Sequence, residues 1–255
     1  MKKAIGLLVF LSFIIVIANV GVCGGELIAA WSFDNDTAMD VRDISGNGHD
    51  GVGVDTNIVD GKLGKAMEFD GVNSQIEVPN DDVLNIEDAV TVEAWVNPSS
   101  YNDLSAVAQK WGDDTGRRQY LLCFVVDKVS FYISGSGVTW PSAAGTTSVP
   151  TDEWTHIAGT YDSKAIKVYI DGQLDAETAN SEGLFASDVP VWIGGYGPNA
   201  DFGSNRHFPG VIDEVRFWKG ALTEAEIQDS MGRSLAAVDA AGKLSATWGR
   251  IKAKH

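Results

Sequence analysis

The segment Glu153–Glu177, EWTHIAGTYDSKAIKVYIDGQLDAE, constrains this chain more than any other. It reads as strand, turn, strand, turn, with an apolar residue at nearly every second position. On the second strand Ile166, Val168 and Ile170 point to one side, and Lys167 and Tyr169 to the other. The turns are Asp162-Ser163-Lys164 and Asp171-Gly172. The second is a strong hairpin signal, because Gly accepts positive φ without a Cβ penalty. Such a stretch builds a two-sided antiparallel scaffold and offers no group posed for bond breaking.

The same pattern recurs along the chain. Short β-rich runs occupy Ile28–Phe33, Ala66–Phe69, Gln75–Val78, Val90–Val96, Ser105–Lys110 and Tyr120–Val126. They continue at Lys128–Ile133, Trp154–Tyr161, Ile166–Ile170, Val191–Ile193 and Gly210–Trp218. Between them lie clusters of Gly, Asn, Asp, Ser and Pro, and the chain carries 28 Gly and 7 Pro without a long amphipathic helical pattern. Strands alternating with helices are therefore excluded as the main plan, and an all-β, two-sheet antiparallel sandwich is expected. One short helix is predicted after Leu222. Thr223 is its N-cap, Glu226 closes a capping box, Leu222 and Ile227 form a staple, and it ends near Met231-Gly232.

Both ends differ from the body. Lys2 and Lys3 precede an apolar run from Ile5 to Ile17, the layout of a secretory signal. Residues 1–24 are read as that signal, with cleavage near Val22-Cys23-Gly24 and a mature domain over 25–231. A lipoprotein at Cys23 and an uncleaved anchor are the alternatives, and the expected location is secreted, cell-surface or periplasmic. The tail, 232–255, is first rich in alanine and then carries Lys243, Arg250, Lys252 and Lys254. Linker, docking strand, attachment tail and disordered tail all fit it.

Charge narrows the partners. With 19 basic and 35 acidic residues the net charge is −16, and no basic stripe with interleaved aromatics occurs. Nucleic acid is not an expected partner, nor is membrane insertion once the signal is removed. Acidic character suits solubility and attraction to cations. Of two cysteines, Cys23 sits at the signal's edge and Cys123 in the apolar run Leu121–Val126, so no disulfide framework is available.

Six segments taken together resemble a known family. WSFDND, DISGNGHDG, GKLGKAMEFDG, VTVEAWVNP, EWTHIAGTYDSKAIKVYIDGQL and GVIDEVRFWKGALTEAEI run in order from Trp31 to Ile227. The chain thereby resembles the bacterial LamG-like jelly-roll modules of the concanavalin A-like lectin/glucanase superfamily. The resemblance implies a curved jelly-roll sandwich and a mostly noncatalytic binding role toward glycans, sometimes proteins. It also implies a structural Ca²⁺ joining the first strand, an early turn and the last strand. Carried onto this sequence, that nominates Asp34, Asp70, the Gly71 carbonyl and Asp213.

Catalytic constellations are missing. Glucanases of this architecture carry a Glu-x-Asp-x-x-Glu strand, but Val90–Val96 has one carboxylate, Glu93. Asp213 and Glu214 are adjacent and are expected on opposite sides of their strand. His49, His156, His207 and His255 form no HExxH or close pair, and no G-x-S-x-G elbow occurs. An enzyme is not expected.

Recognition of sugar needs a planar aromatic with polar groups beside it. Aromatic, turn-dense stretches occur at Trp111–Asp114, around Trp140-Pro141, and from Tyr196 to Phe208. The expected ligand residues are Trp140, Tyr196, Asn199, Asp201, Asn205 and Arg206, facing a glycan or glycoprotein surface. A protein-interaction module of the cell surface is the alternative function, and the sequence does not define an oligomeric state.

Overall fold

The computed structural model describes residues 24–112, 116–197 and 206–234. The expected signal segment up to residue 23, the tail from 235 onward, and the expected ligand residues Asn199, Asp201 and Asn205 lie outside the described residues.

In chain order the strands are β1 (Glu26–Trp31), β2 (Asp40–Val41), β3 (Gly51–Val54), β4 (Asn57–Asp60), β5 (Lys65–Asp70) and β6 (Gln75–Val78). Next come β7 (Val90–Pro98), β8 (Leu104–Trp111), β9 (Arg118–Val125), β10 (Lys128–Ile133) and β11 (Ser142–Ser148). The series ends with β12 (Thr155–Tyr161), β13 (Ala165–Ile170), β14 (Gln173–Ala179), β15 (Val191–Ile193), β16 (Pro209–Lys219) and the helix α1 (Glu224–Met231). The first sheet runs β14-β13-β12-β7-β16-β5-β4, with β1 also paired to β16. The second runs β11-β10-β9-β8-β15-β6-β3-β2. Every recorded pairing is antiparallel, as the hairpin-rich sequence predicts.

Alternation produces the core. Ile166 and Val168 of β13, Val92 and Ala94 of β7, and Phe131 and Ile133 of β10 all turn into the space between the sheets. Trp31 is completely buried there, edge-on to Phe217 with ring centroids 5.6 Å apart. Its indole N–H donates to the His49 carbonyl at 3.0 Å, so the ring enters the core without an unpaired donor. Asp171 and Gly172 both adopt positive φ, 46° and 73°, the backbone of the tight hairpin that the Asp-Gly pair predicts. At α1 the capping box between Thr223 and Glu226 is formed in both directions.

One expectation is corrected. Asp213 and Glu214 do not face opposite sides of β16. Glu214 has φ of 50°, and the register against β7 slips between Asp213 and Arg216. This is a β-bulge, which adds one residue to a strand and breaks its alternation. Ile212 and Val215 therefore both point into the core, and both carboxylates between them lie on the outer side.

Candidate functional site

The outer face of the second sheet carries a cavity of about 320 Å³ lined by Leu104, Trp111, Arg118, Leu121, Tyr132, Trp140, Tyr196 and Arg206. Its floor is built by Leu121 and Cys123, alternate residues of β9, and by Ala106 and Trp111 of β8, five apart and brought to one face by register shifts after Ala106 and Lys110; they form a small apolar cluster with Tyr196, against which Leu104 and Tyr132 pack. Trp111 and Tyr132 meet edge to face at 6.2 Å. Phe131 and Ile133, the neighbours of Tyr132, belong to the core, so Tyr132 itself must point outward.

Two loops complete the rim. The loop between β10 and β11 brings Trp140, whose side is open to solvent at 61 % exposure. That loop is held by the Arg118 N–H donating to the Gly137 carbonyl and by Arg118 Nη1 donating to the Val138 carbonyl, 3.1 and 3.0 Å. The Arg118 guanidinium lies 4.8 Å from the Trp140 ring centre and 5.8 Å from that of Trp111, a cation between two indoles. The second loop leaves β15 at Gly194, whose φ of 73° and close approach to the Phe69 ring suit only glycine. Gln109 Nε2 donates to the Gly195 carbonyl at 2.7 Å and fixes the turn that delivers Tyr196.

Trp140, Tyr196 and Arg206, read from the sequence as ligand residues, thus line one cavity. Tyr196 differs from that reading in one respect: it is buried and forms the floor, not an exposed platform. Burial pushes its hydroxyl well above the ordinary phenol range, while the adjacent Arg206 guanidinium pulls the other way. Arg118, Tyr132, Leu104 and Leu121 were not singled out by the sequence. The outward position of Tyr132 in VSFYI was the available signal, since alternation with Phe131 exposes it.

The four residues nominated for a cation fall into two groups. Asp34 and Asp213 converge on the turn before β5: Asp34 Oδ1 accepts from the Lys65 N–H at 2.8 Å, and Asp213 Oδ2 from the Leu63 N–H at 2.9 Å. A Cβ on Gly64 would collide with the Asp34 carboxylate, so glycine is required for this approach. Asp213 is fully buried and its Oδ1 has no hydrogen-bond partner. Burial, then the nearby Glu214 and Asp34 charges, push it up to about 7 against the favourable N–H groups of Leu63 and Glu214.

Asp70 and Gly71 lie at the far end of β5, where Asp70 pairs with Pro209. Asp213 lies four positions beyond Pro209, roughly 13 Å along the strand. Asp70 Oδ1 caps its own turn, accepting from the N–H groups of Val72, Asn73 and Ser74 at 2.8–3.0 Å. Burial pushes its carboxyl up, but the Ser74 hydroxyl and these N–H donors together outweigh it and hold the group well below the usual range. Among the described residues no group of three His, Cys, Asp or Glu side chains is arranged around a metal position.

The outer face of the first sheet holds a different cluster, under α1. Glu93, His156, Glu214 and Arg216 are all buried. Arg216 Nη2 donates to Glu214 Oε2 at 2.7 Å and Nη1 to the Ser230 carbonyl at 2.6 Å. Trp218 Nε1 and Ser230 Oγ donate to Glu93 Oε1 at 2.9 and 2.5 Å, and His156 Nε2 lies 3.4 Å from Glu93 Oε2. Burial works against ionised Glu93, but His156 and Arg216 outweigh it and hold its carboxyl low. The cluster clamps α1 to the sheet: Trp95 Nε1 also donates to the Met231 carbonyl at 3.0 Å. These carboxylates are covered, so they serve packing.

The comparisons agree with this architecture. The Laminin_G_3 model, described as concanavalin A-like lectin/glucanases superfamily, matches residues 70–228. The chain belongs to that family, and its described residues form the jelly-roll sandwich expected of it. No curated protein matches the chain. Among solved structures, it is similar to domain 4 of AbnA, a GH43 extracellular arabinanase from Geobacillus stearothermophilus, in complex with arabinotriose. That match has 25 % identity and a TM-score of 0.63, covering 81 % of this chain and 98 % of the arabinanase domain. The binding domain of Paraclostridial Mosquitocidal Protein 1 follows at 18 % identity and TM-score 0.64, covering 80 % of this chain and 51 % of that one. A botulinum neurotoxin type C structure, whose cell entry depends on interaction with two ganglioside molecules, shares 12 % identity at TM-score 0.62, with 80 % and 50 % covered. The chain thus spans about half the length of the toxin chains, and at these identities they share its fold alone. Among the described residues no helix is long and apolar enough to cross a membrane.

Proposed function

We propose that the chain is a secreted, noncatalytic module that binds carbohydrate in the cavity on the outer face of the second sheet. The observation that carries this reading is the convergence of Trp111, Tyr132, Trp140, Tyr196, Arg118 and Arg206 on one space of about 320 Å³. Small-ligand pockets span about 300–1,000 Å³, so this one suits a terminal sugar unit better than a long chain. The rings supply apolar faces for sugar C–H groups, and the guanidinium N–H groups donate to oxygens. The likeness to an arabinanase domain holding arabinotriose supports glycan as the ligand class.

Binding without cleavage is supported by the lining itself. No carboxylate is among its described residues, whereas glycosidases work with a carboxylate pair about 5–10 Å apart. Secretion rests on Lys2, Lys3 and the apolar run that follows them, with 1–24 as the signal and 232–255 as an appended tail.

A structural calcium ion belongs to the same reading, held by Asp34 and Asp213. Calcium takes oxygen ligands, and the buried, unpartnered Asp213 Oδ1 is an oxygen in need of a positive charge. An ion there would tie β16 and the turn before β5 together by charge in place of a proton.

A glycan array probed with the purified chain, with and without chelator, tests the proposal. Binding to a defined set of sugars is expected. A folded chain that binds none of them would sink it and favour recognition of a protein surface.

A further inference from the structure

The turn between β5 and β6 lies too far along its strand to join Asp34 and Asp213, but it reaches the second loop of the cavity. The Asp70 carboxylate ties the N–H groups of Val72, Asn73 and Ser74 and the Ser74 hydroxyl into one closed turn. That turn is joined to the chain leaving the cavity. His207 Nδ1 lies 3.0 Å from the Ser74 carbonyl, and since a carbonyl only accepts, Nδ1 carries the hydrogen. Asn102 Nδ2 donates to the His207 carbonyl at 2.9 Å and also faces the Gly71 carbonyl at 3.4 Å. Gly71 packs so closely on Pro209 that a Cβ would fall 2.7 Å from the proline ring. His207 touches the chain entering the cavity as well, because a Cβ on Gly195 would collide with its ring. The Phe208 N–H closes the base of the loop by donating to the Gly194 carbonyl at 2.9 Å.

The His207 ring is therefore wedged between the backbone that delivers Tyr196 and the turn at Asp70–Ser74, and Arg206 is the residue before it. Arg206 lines the cavity, and its charge acts on the Tyr132 and Tyr196 hydroxyls. We propose that His207, braced by Asn102 and the Asp70–Ser74 turn, is the positioning residue that holds Arg206 in the geometry that receives the ligand. The inference rests on the carbohydrate-binding reading above and adds a control point behind the lining, since neither His207 nor Asn102 is among its described residues. An arginine has many rotamers, and fixing its backbone before binding lowers the ordering that the ligand must impose. The Asp-Gly turn read from the sequence as a cation site thus acquires a different duty, as the anchor of this brace.

The test is the affinity of the full mature chain and its variants for the array's best glycan. His207→Leu should weaken binding about tenfold, the worth of a lost hydrogen bond that orders a binding residue. His207→Asn, whose amide donates from the place of Nδ1, should bind within about threefold of the native chain. Asn102→Ala breaks the brace from its other side, should cost about as much as His207→Leu, and replaces that variant if it does not fold. The deciding readout is a cycle with Arg206→Gln. Added to Arg206→Gln, His207→Leu should cost less than about twofold more, because it acts through that side chain, whereas independent losses multiply. Native affinity in His207→Leu or in Asn102→Ala would overturn the inference and leave the carbohydrate reading standing. So would losses that multiply in the double variant, or a His207→Asn chain as weak as His207→Leu. A native chain that binds no glycan would remove both readings.

Discussion

Asp213 shows how a single residue couples a bulge to a charge. The bulge at Glu214 keeps Asp213 buried on the outer side of β16, one oxygen bonded to the Leu63 N–H and the other without a partner. Its folded pKa is raised to about 7, above the ordinary carboxylate value near 4. A raised acid binds its proton more tightly in the folded state. Its contribution to stability is thus complete below about pH 4 and is lost as pH rises through 7. In chelator, unfolding measured against pH should show this loss, amounting to about a few kcal/mol, and Asp213→Asn should flatten it. Calcium should restore stability to the native chain above pH 7 and do little for the variant. A native chain whose melting temperature ignores calcium at pH 8 would remove the ion from Asp213.

At the scale of elements, the weight falls on the seam between α1 and the first sheet. Arg216 holds Glu214, the Ser230 carbonyl and the Arg233 carbonyl at once, and lies 3.6 Å from Glu93 Oε1. Arg216→Met would leave two buried carboxylates without their cation, at a cost of about 3–5 kcal/mol in denaturant unfolding. A loss below 1 kcal/mol would show the helix to be held by Leu222 and Ile227 alone. The sequence revealed the elements whose burial imposes a pattern. Gln75–Val78, Lys128–Ile133 and Val191–Ile193 match their strands residue for residue, because each has an apolar side in the core. It did not reveal β11, SAAGTTS, and it announced β14, QLDAETA, only through the Asp-Gly turn before it; both form sheet edges and expose much of their length. An edge strand pairs on one side and needs little apolar surface, so it leaves no alternation to read. In β3 the pattern runs backward: Gly51 and Gly53 are buried, and Val52 and Val54 are exposed, because Ile76, Val78 and Ala38 leave no room for a Cβ. The bulge at Glu214 escaped for a related reason, since nothing in VIDEVRF announces an extra residue.

For the whole molecule, two sheets with opposite duties explain the division of function. The outer face of the first is sealed by α1 over a charge cluster, and the outer face of the second is left open at the cavity. Trp140, Tyr196 and Arg206 were legible as a site because they stand in aromatic, turn-dense stretches between strands. Trp111 stood in another such stretch without being named a ligand residue, and Arg118 and Tyr132 were harder to see, because on a strand an outward aromatic or arginine looks like any half-buried position until the sheet is assembled. The cavity is where these strand and loop residues meet, and its measurement decides the account. The most direct test is a calorimetric titration of the array's best glycan into the native chain and into Trp140→Ala. At 61 % exposure Trp140 contributes little to the fold, so the variant should keep its melting temperature within about 2 °C while binding at least about tenfold more weakly. Native affinity in a folded Trp140→Ala chain would contradict the assignment of the site.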